Sequence, residues 1–540
     1  QILQRLTDRY LLLTHGSRDA PSRQQTLRMC IDWSYDLCTP AEQRMWAELS
    51  VFAGSFELEA AEQVCDGDHA DELLDTVTFL VDKSILTREN LGATVRFRML
   101  ETVRAYGREK SRVAGDYLET LRRHRDWYER LVLDSESEWI SSRQLEWIAR
   151  LGREQPNIRE ALEFCVSDSP EAGLRIAAAL VPFWQARALI REGRRWLERL
   201  LASAPCQASA DRVKALYAGS LLAGLQGDLG ASTALVEEGR MLANQTSDPL
   251  VHAHADLASG YLALFGGKLS DARSHLDKAV QEYAAQGALL LQIVARGILG
   301  LTYELLNDAE RAIECYEPAL AITDERGESL YRAYLLWGLA ISVWRREDRV
   351  RANHLLGQAL QECRKTNDRL SASMCLQALA WITAEEEKIQ RAVLLMGAAE
   401  ELSRSVGRPT VFLPDLLGYQ NEFERRTHRA MSEQALVTAQ KQGAALSLDA
   451  AVSWALGQPD TPSLPSAAGP STTPTKRERE VAELIADGLT NKEIAARLVI
   501  SPRTAQGHVE HLLSKLGFTS RAQIAAWVVE SRNDDPGDSN

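Results

Sequence analysis

The chain has 540 residues, too many for one hydrophobic core; at roughly 150 residues per domain it divides into three or four units. A hydrophobic content of 45% with 33 Gly and 17 Pro excludes collagen-like and disordered chains. A formal charge of -13 excludes a uniformly basic nucleic-acid coat and confines any DNA-contacting patch to one module. The 8 cysteines include no C-x-x-C pair and no zinc-ligand spacing, so they read as reduced, mostly buried thiols of a cytoplasmic protein. No run of about 18 apolar residues is long enough to cross a membrane. The first residue is Gln, which reads as a processed chain or an excerpt of a longer one.

From Thr26 to Phe52 two amphipathic helices are expected, the second with Thr39 as N-cap and Pro40 in its first turn. Shorter helical patterns follow near Leu58 to Val64 and Asp71 to Asp82. Ser84 to Leu100 then alternates as two strands around Asn90-Leu91-Gly92, with Ile85, Val95 and Phe97 as inward positions. Helices followed by such a hairpin make a winged helix. The helix before the wing carries Asp71, Glu72, Asp75 and Asp82 against Lys83 alone, a charge that repels phosphate and gives the module a structural or regulatory role. Asp66, Asp68 and Asp71 lack the glycine and closing glutamate of a calcium loop and read as a solvated connection.

The middle of the chain repeats. At a stride of 40 residues five turns align: Gly227-Asp228, Gly267-Lys268, Asn307-Asp308, Glu347-Asp348 and Glu387-Lys388. Behind the last four come two alanine columns, Ala272, Ala312, Ala352 and Ala392, then Ala279, Ala319, Ala359 and Ala399, with Leu276, Tyr316, Leu356 and Met396 between them. Ahead of each turn sits a small residue, Gly260, Gly300, Ala340 or Ala380. Small side chains let two helices approach and the large ones fill the remaining space, so each unit reads as a helical hairpin. The first unit is degenerate, with Ser232 and Gly239 in the alanine columns. The order resembles the tetratricopeptide repeat at a longer period, and Ala210 to about Arg404 reads as a solenoid offering a concave surface to a peptide, a protein or a small inducer. His252 and His254, two apart on a helix, point in different directions and read as repeat-surface residues rather than metal ligands.

After Gly457 the composition turns to Pro, Ser, Thr, Ala and Gly through Pro474, a tether spanning on the order of 25 Å as a random coil. Thr475 with Glu478, and Thr490 with Glu493, each form a T-x-x-E capping box; the first helix ends at Gly488 and the second near Leu498. Ser501 and Pro502 open a third helix that Gly517 closes, and a fourth begins near Ser520. On the third helix Ala505, Val509, Leu512 and Leu516 share one face for packing, while Arg503, Gln506, Gly507, Glu510 and Ser514 share the other. Donors and acceptors outward, with a glycine for close approach, suit a helix laid in the major groove. Gln506 fits adenine, Arg503 guanine or phosphate, and Glu510 a cytosine amino group. His508 and His511 lie on the flanks, and their spacing alone makes no metal site.

Two stretches carry family resemblances. Thr26-Leu27, Ile31 to Leu37, Ser50 to Gly54, Leu100 to Arg104, Glu154-Gln155-Pro156-Asn157-Ile158-Arg159 and Glu192 to Leu197 resemble the region just after the nucleotide-binding core of large LuxR-type ATPase regulators. In that family a P-loop domain precedes these segments. No G-x-x-x-x-G-K-[ST] occurs here, and Gly266-Gly267-Lys268 is followed by Leu269 on a repeat turn, so no cofactor is expected in this chain; ATP is plausible only with an N-terminal P-loop domain that is missing from it. Lys476 to Val481, Gly488 to Ala495, Leu498, Ile500 to Thr504, His508-Val509 and Lys515-Leu516-Gly517 closely resemble the LuxR-type (GerE-like) helix-turn-helix. The resemblance implies DNA-facing positions, and the candidate set is Thr490, Asn491, Lys492, Arg503, Thr504, Gln506, Gly507, Glu510, His511 and Lys515. Where many members carry Lys on the reading helix, this chain has Gln506 and Glu510. From Thr475 to Glu530 eight basic residues face seven acidic ones, so one copy binds weakly and a homo-oligomer on a two-half-site operator is expected.

The expected fold is mainly α: 1–20 the tail of a nucleotide-binding module, 21–115 winged helix, 116–205 helical connector, 206–456 TPR-like α-solenoid, 457–474 flexible linker, 475–530 a four-helix LuxR-type helix-turn-helix domain and 531–540 a disordered tail. The expected function is a cytoplasmic transcription regulator that binds double-stranded promoter DNA and receives a protein or small-molecule inducer at its solenoid. No H-E-x-x-H, G-x-S-x-G or dinucleotide motif supports an enzyme. The alternative is a repeat-based protein-interaction adaptor with an accessory helix-turn-helix.

Overall fold

A computed structural model describes residues 27–65, 70–91, 94–205, 209–406, 416–458, 476–486 and 489–498, with the single positions 509, 524 and 528. The chain divides into two compact units, Gln1–Gly457 and Gln458–Asn540. Among the described residues no helix is long and apolar enough to cross a membrane.

The first unit opens with α1 (Leu27–Asp36) and α2 (Pro40–Leu49). The expected start of α2 is realised as a full capping box: Thr39 N–H donates to Glu42 Oε2 at 2.6 Å and Glu42 N–H donates to Thr39 Oγ1 at 3.3 Å, with Pro40 in the first turn. Trp46 and Leu49 point from α2 into the core, and Trp46 Nε1 donates to Val103 O. Then come α3 (Leu58–Val64), α4 (Ala70–Asp82) and an antiparallel hairpin, β1 (Leu86–Leu91) and β2 (Thr94–Met99), in register from Leu86 opposite Met99 to Leu91 opposite Thr94. Ile85 and Phe97 are buried as expected, but Val95 is 37% exposed. It shares the face of Phe97 and Met99, yet stands opposite Asn90 near the hairpin tip, where it escapes burial. Instead Arg96, on the other face, is fully enclosed.

What encloses Arg96 joins the wing to the helices that follow, α5 (Glu101–Ala114), α6 (Tyr117–Ser137) and α7 (Gln144–Asp168). Its guanidinium donates to Glu154 Oε1 at 2.5 Å, Glu57 Oε1 at 2.8 Å and Ser55 Oγ at 2.9 Å. Glu154 also accepts from Tyr128 Oη and Asn157 Nδ2, while Asn157 Oδ1 accepts the Gly54 N–H at 3.0 Å. A Cβ on Gly54 would stand 3.0 Å from the Pro156 ring. The Ser50–Gly54 and Glu154–Arg159 segments, a hundred residues apart, thus meet as one fully hydrogen-bonded joint around a buried ion pair. Breaking such a pair by removing one partner costs more than the pair contributes, so the joint fixes geometry rather than adding much stability.

Three further helices, α8 (Pro170–Ala179), α9 (Val181–Ala186) and α10 (Ile190–Ser203), lead to five helical hairpins: α11 (Ala210–Leu225) with α12 (Leu229–Ala243), α13 (Pro249–Phe265) with α14 (Leu269–Ala285), α15 (Leu289–Leu305) with α16 (Ala309–Arg326), α17 (Leu330–Arg345) with α18 (Arg349–Thr366), and α19 (Arg369–Glu385) with α20 (Ile389–Ser405). Every turn in the 40-residue register contains a left-handed residue: Gly227, Gly267, Asn307, Glu347 and Glu387 have φ between 58° and 80°. The next residue starts the second helix. Asp228, Asp308 and Asp348 cap it with their carboxylates; Lys268 and Lys388 cannot. Turns between hairpins repeat the device at Gly287, Gly327 and Asn367.

Both alanine columns are buried, and at Gly260 and Gly300 the large residue between them meets the small one on the preceding helix. A Cβ on Gly260 would stand 2.7 Å from Leu276 Cγ, and one on Gly300 would stand 2.6 Å from Tyr316 Cζ. His254 departs from the expected surface position. It is buried, its Nδ1 lies 2.8 Å from Tyr283 Oη, and burial together with Lys214 pushes its pKa down to about 3, so it stays neutral. His254 falls on the part of its helix that neighbouring elements cover, whereas His252, two residues earlier on the same helix, is exposed. The unit ends with α21 (Leu417–Ala430), α22 (Glu433–Ala444) and α23 (Leu448–Ala455), with Tyr419 against Trp344 and Trp381.

The Gly300–Tyr316 contact leaves no room for a methyl group. Gly300→Ala should destabilise the full chain by about 1–3 kcal/mol in urea unfolding. Adding Tyr316→Leu, which reproduces the Ala340–Leu356 pairing of the next repeat, should restore part of the loss; an unchanged midpoint for the single variant would contradict the packing.

Candidate nucleic-acid interface

The second unit contains α24 (Lys476–Ala486) and α25 (Asn491–Leu498). On α24 Val481, Ala482 and Ile485 fall on one face; on α25 Ile494 and Ala495 do. They share a core with Val509, Ile524 and Val528, each in helical conformation, while Leu484, Leu489 and Leu498 pack at its edge. These residues form one small apolar core to which both helices and the positions after them contribute.

The turn between the two helices is closed by hydrogen bonds. Leu489 N–H reaches back to Leu484 O at 3.1 Å, wrapping the end of α24. Thr490 then caps α25 through the expected box: Thr490 N–H donates to Glu493 Oε2 at 2.7 Å, its hydroxyl donates to the same oxygen at 2.8 Å, and Glu493 N–H lies 3.4 Å from Thr490 Oγ1. The backbone N–H of Thr490, followed by its hydroxyl, holds the Glu493 carboxyl below its ordinary value. Arg479 and Arg497 are exposed on α24 and α25.

Of the candidate DNA-facing residues, Thr490 is the N-cap of α25, and Asn491 and Lys492 are its first two residues. Arg503, Thr504, Gln506, Gly507, Glu510, His511 and Lys515 lie outside the described residues, as do Thr475, Gly488, Ser501, Pro502, His508, Gly517 and Ser520. Val509, one of the positions expected to anchor the third helix, is buried in the shared core. The same holds for Ile524 and Val528, which the spacing argument did not single out although both are apolar in the expected fourth helix. Among the described residues no group of three or more His, Cys, Asp or Glu side chains is placed to hold a metal ion.

Residues 474–528 match the family described as bacterial regulatory proteins, luxR family, and residues 39–112 match the winged helix-turn-helix domain. Residues 474–528 therefore carry a LuxR-type helix-turn-helix domain. A relative from Mycobacterium bovis, provisionally named an HTH-type transcriptional regulator, is 26% identical over 685 aligned positions, covering 97% of this chain and 77% of the relative. The nitrate/nitrite response regulator protein NarL of Escherichia coli is 48% identical over 58 residues, covering 11% of this chain and 27% of NarL. Among solved structures, a signal transduction ATPase with numerous domains and a tetratricopeptide repeat sensor, from Pyrococcus horikoshii, aligns with a TM-score of 0.43 at 12% identity, covering 79% of this chain and 68% of that one.

In this LuxR-type module the Thr490–Glu493 box sets the start of α25. Thr490→Ala should raise amide exchange at Glu493 about fivefold in the full chain, the effect of losing an N-cap worth about 1 kcal/mol. Because the folded Glu493 pKa lies below the ordinary 4.5, the cap contributes fully above that value and fades as pH falls through the depressed one. Protection factors at residues 490–494 should therefore decline at acid pH in the wild type, and Glu493→Gln should flatten that decline.

Proposed function

We propose that this transcription regulator reads a promoter element through the helix expected from Ser501 to Leu516, with Arg503, Gln506 and Glu510 at base edges and Thr490, Asn491, Lys492, Thr504, His511 and Lys515 near the phosphate backbone. Gly507 allows the close approach. The observation that carries this reading is the burial of Val509 in one core with Val481, Ile485 and Ile494: it anchors the apolar side of that segment on the helices that would brace it against a duplex. Asn491 and Lys492, in the first turn of α25, lie where a helix start can meet a phosphate, while the Thr490 donors are taken by Glu493.

The winged helix is assigned a structural or regulatory role instead. On α4 Asp75 and Asp82 are exposed beside Leu74 and Phe79, 55% and 53% exposed, and Lys83 is engaged by Glu42 Oε2 at 2.5 Å and by Leu37 O. An acidic, apolar surface whose adjacent lysine is already paired repels a duplex. The solenoid is the proposed receiver of a protein or small-molecule signal, and dimerisation on two half-sites offsets the near balance of charge in the reading module. The protein is proposed to act in the cytoplasm without a catalytic step of its own.

Arg503→Ala with Lys515→Ala should weaken retention of a duplex selected from random sequence by about tenfold or more in a mobility-shift assay, and should lower the slope of log affinity against log salt by about one or two. Retention unaffected by salt, or unchanged in the double variant, would count against this reading.

A further inference from the structure

Two exposed helix faces of the first unit carry opposite charge. On α4 the buried side is Leu73, Val77 and Leu80, and a period of 3.6 residues then places Asp75, Phe79 and Asp82 together on the opposite, exposed side. One aromatic ring stands about a turn from a carboxylate on either side, and the two carboxylates are about 10 Å apart along the helix axis. Among the described residues neither the Asp75 nor the Asp82 side chain has an ion-pair or hydrogen-bond partner. Lys83, which follows directly, is held by Glu42 and by Leu37 O.

On α10 the buried side is Gly193, Leu197, Leu200 and Leu201, and Gly193 lets Trp184 pack directly on the helix backbone. Arg191 and Arg195 are exposed on the far side, and Arg187 is exposed just ahead of the helix. The carboxylates of this region are already engaged: Glu192 by Arg159, Glu198 by Arg194 and Glu163 by Arg199. Among the described residues the guanidinium groups of Arg187, Arg191 and Arg195 have no partner. Arg191 also stands in the first turn of α10, where the helix dipole disfavours a cation, so helix stability does not account for it.

The two faces complement each other in more than sign. A guanidinium pairs with a carboxylate through parallel N–H donors and also stacks on an aromatic ring, so a row of carboxylate, ring and carboxylate suits arginine better than lysine. Arg191 and Arg195 are about 6 Å apart along their helix, and side chains of that length reach both carboxylates across Phe79. Both faces stand open within one compact unit, Gln1–Gly457, so they can meet only between copies. We propose that α10 of one copy docks on α4 of a second, with Arg191 and Arg195 pairing with Asp75 and Asp82 over the Phe79 ring. The contact is heterologous, each copy offering both faces. It supplies a surface for the pairing of copies proposed above and rests on that reading for its role.

The full chain is tested without DNA, so a failure here and a failure of the DNA-reading assignment are distinguishable. Ion pairs around one ring make a small interface, and sedimentation velocity should show association with a midpoint at roughly 10–100 µM that rises about tenfold or more from low to high salt. Asp75→Arg with Asp82→Arg, and separately Arg191→Glu with Arg195→Glu, should each remain single at those concentrations with an unchanged far-UV circular dichroism spectrum, the four positions being exposed. An equimolar mixture of the two variants should associate, because every face then meets its opposite charge. Phe79→Ala, which leaves the charge unaltered, should weaken association about threefold or more. A wild-type chain that stays single, variants that associate as the wild type does, or a mixture that does not recover would overturn the contact. So would undiminished association of the arginine variant joined to weaker retention of a duplex, which would assign Arg191 and Arg195 to phosphates instead.

Discussion

The repeats depend on one steric constraint: where two helices of a hairpin cross, a side chain from the second must find its space in the missing side chain of the first. Leu276 against Gly260 and Tyr316 against Gly300 meet it with glycine; in the next two repeats the same register positions hold buried Leu356 with Ala340 and Met396 with Ala380. Dense packing leaves no slack at these crossings, so the size of one residue dictates the size of the other. The turn between the two helices is constrained as well, because a left-handed residue is needed to reverse the chain within two positions. Glycine takes that conformation without strain, whereas Glu347 and Glu387 take it at a cost of roughly 1 kcal/mol that the buried faces of the two flanking helices offset. Regular crossings and regular turns together give each hairpin the same two neighbours, which is why stability here is a sum of local interfaces.

Polar burial does different work. The Arg96 joint and the contact of Gln144 with Glu328 and the first N–H groups of α17 both place charged or amide groups where water cannot reach, and both satisfy nearly every donor and acceptor present. Hydrophobic side chains of equal volume would hold these elements together at least as firmly. They would not specify angle and register. A guanidinium that must meet Glu57, Glu154 and Ser55 at once admits one docking of the wing on α7, and a carboxamide that must meet two N–H groups and a carboxylate admits one seating of the connector on α17. The solenoid's regular packing and these two singular contacts are therefore complementary: the first can be extended by any number of hairpins, while the second fixes where that array attaches.

Much of this was legible in the sequence, for identifiable reasons. Capping boxes at Thr39 and Thr490 are local, so four residues suffice to read them. The alanine and large-residue columns are visible because periodicity turns a tertiary contact into a pattern along the chain. Val95 and His254 were misplaced because alternation and helical spacing give the direction of a side chain and say nothing of whether another element covers it: the hairpin tip leaves Val95 open, and stacking of hairpins encloses His254. Arg96 was hidden for the converse reason, since arginine on a short strand ordinarily reads as solvent-facing. Gln144 gave no signal, as its partners lie 184 to 186 residues away and nothing near it marks an unusual role. At the candidate interface, the burial of Val509 and the α25 cap were legible, whereas the bases that Gln506 and Glu510 would meet in the proposed reading depend on how that helix tilts in the groove, which residue identity does not determine.

Charge gives the proposed pairing of two copies its physical reason. Eight basic residues against seven acidic ones from Thr475 to Glu530 leave little electrostatic attraction for a duplex, and phosphate neutralisation supplies most non-specific affinity. In the proposed reading, a module poor in that term gains from a second copy held at the spacing of two half-sites, where the second contact is intramolecular. In the proposed mechanism the long first unit governs that pairing, so the signal need not alter the reading helix at all. It need only change how often two copies meet, and a repeat array is suited to the task because each hairpin contacts chiefly its neighbours and can respond locally.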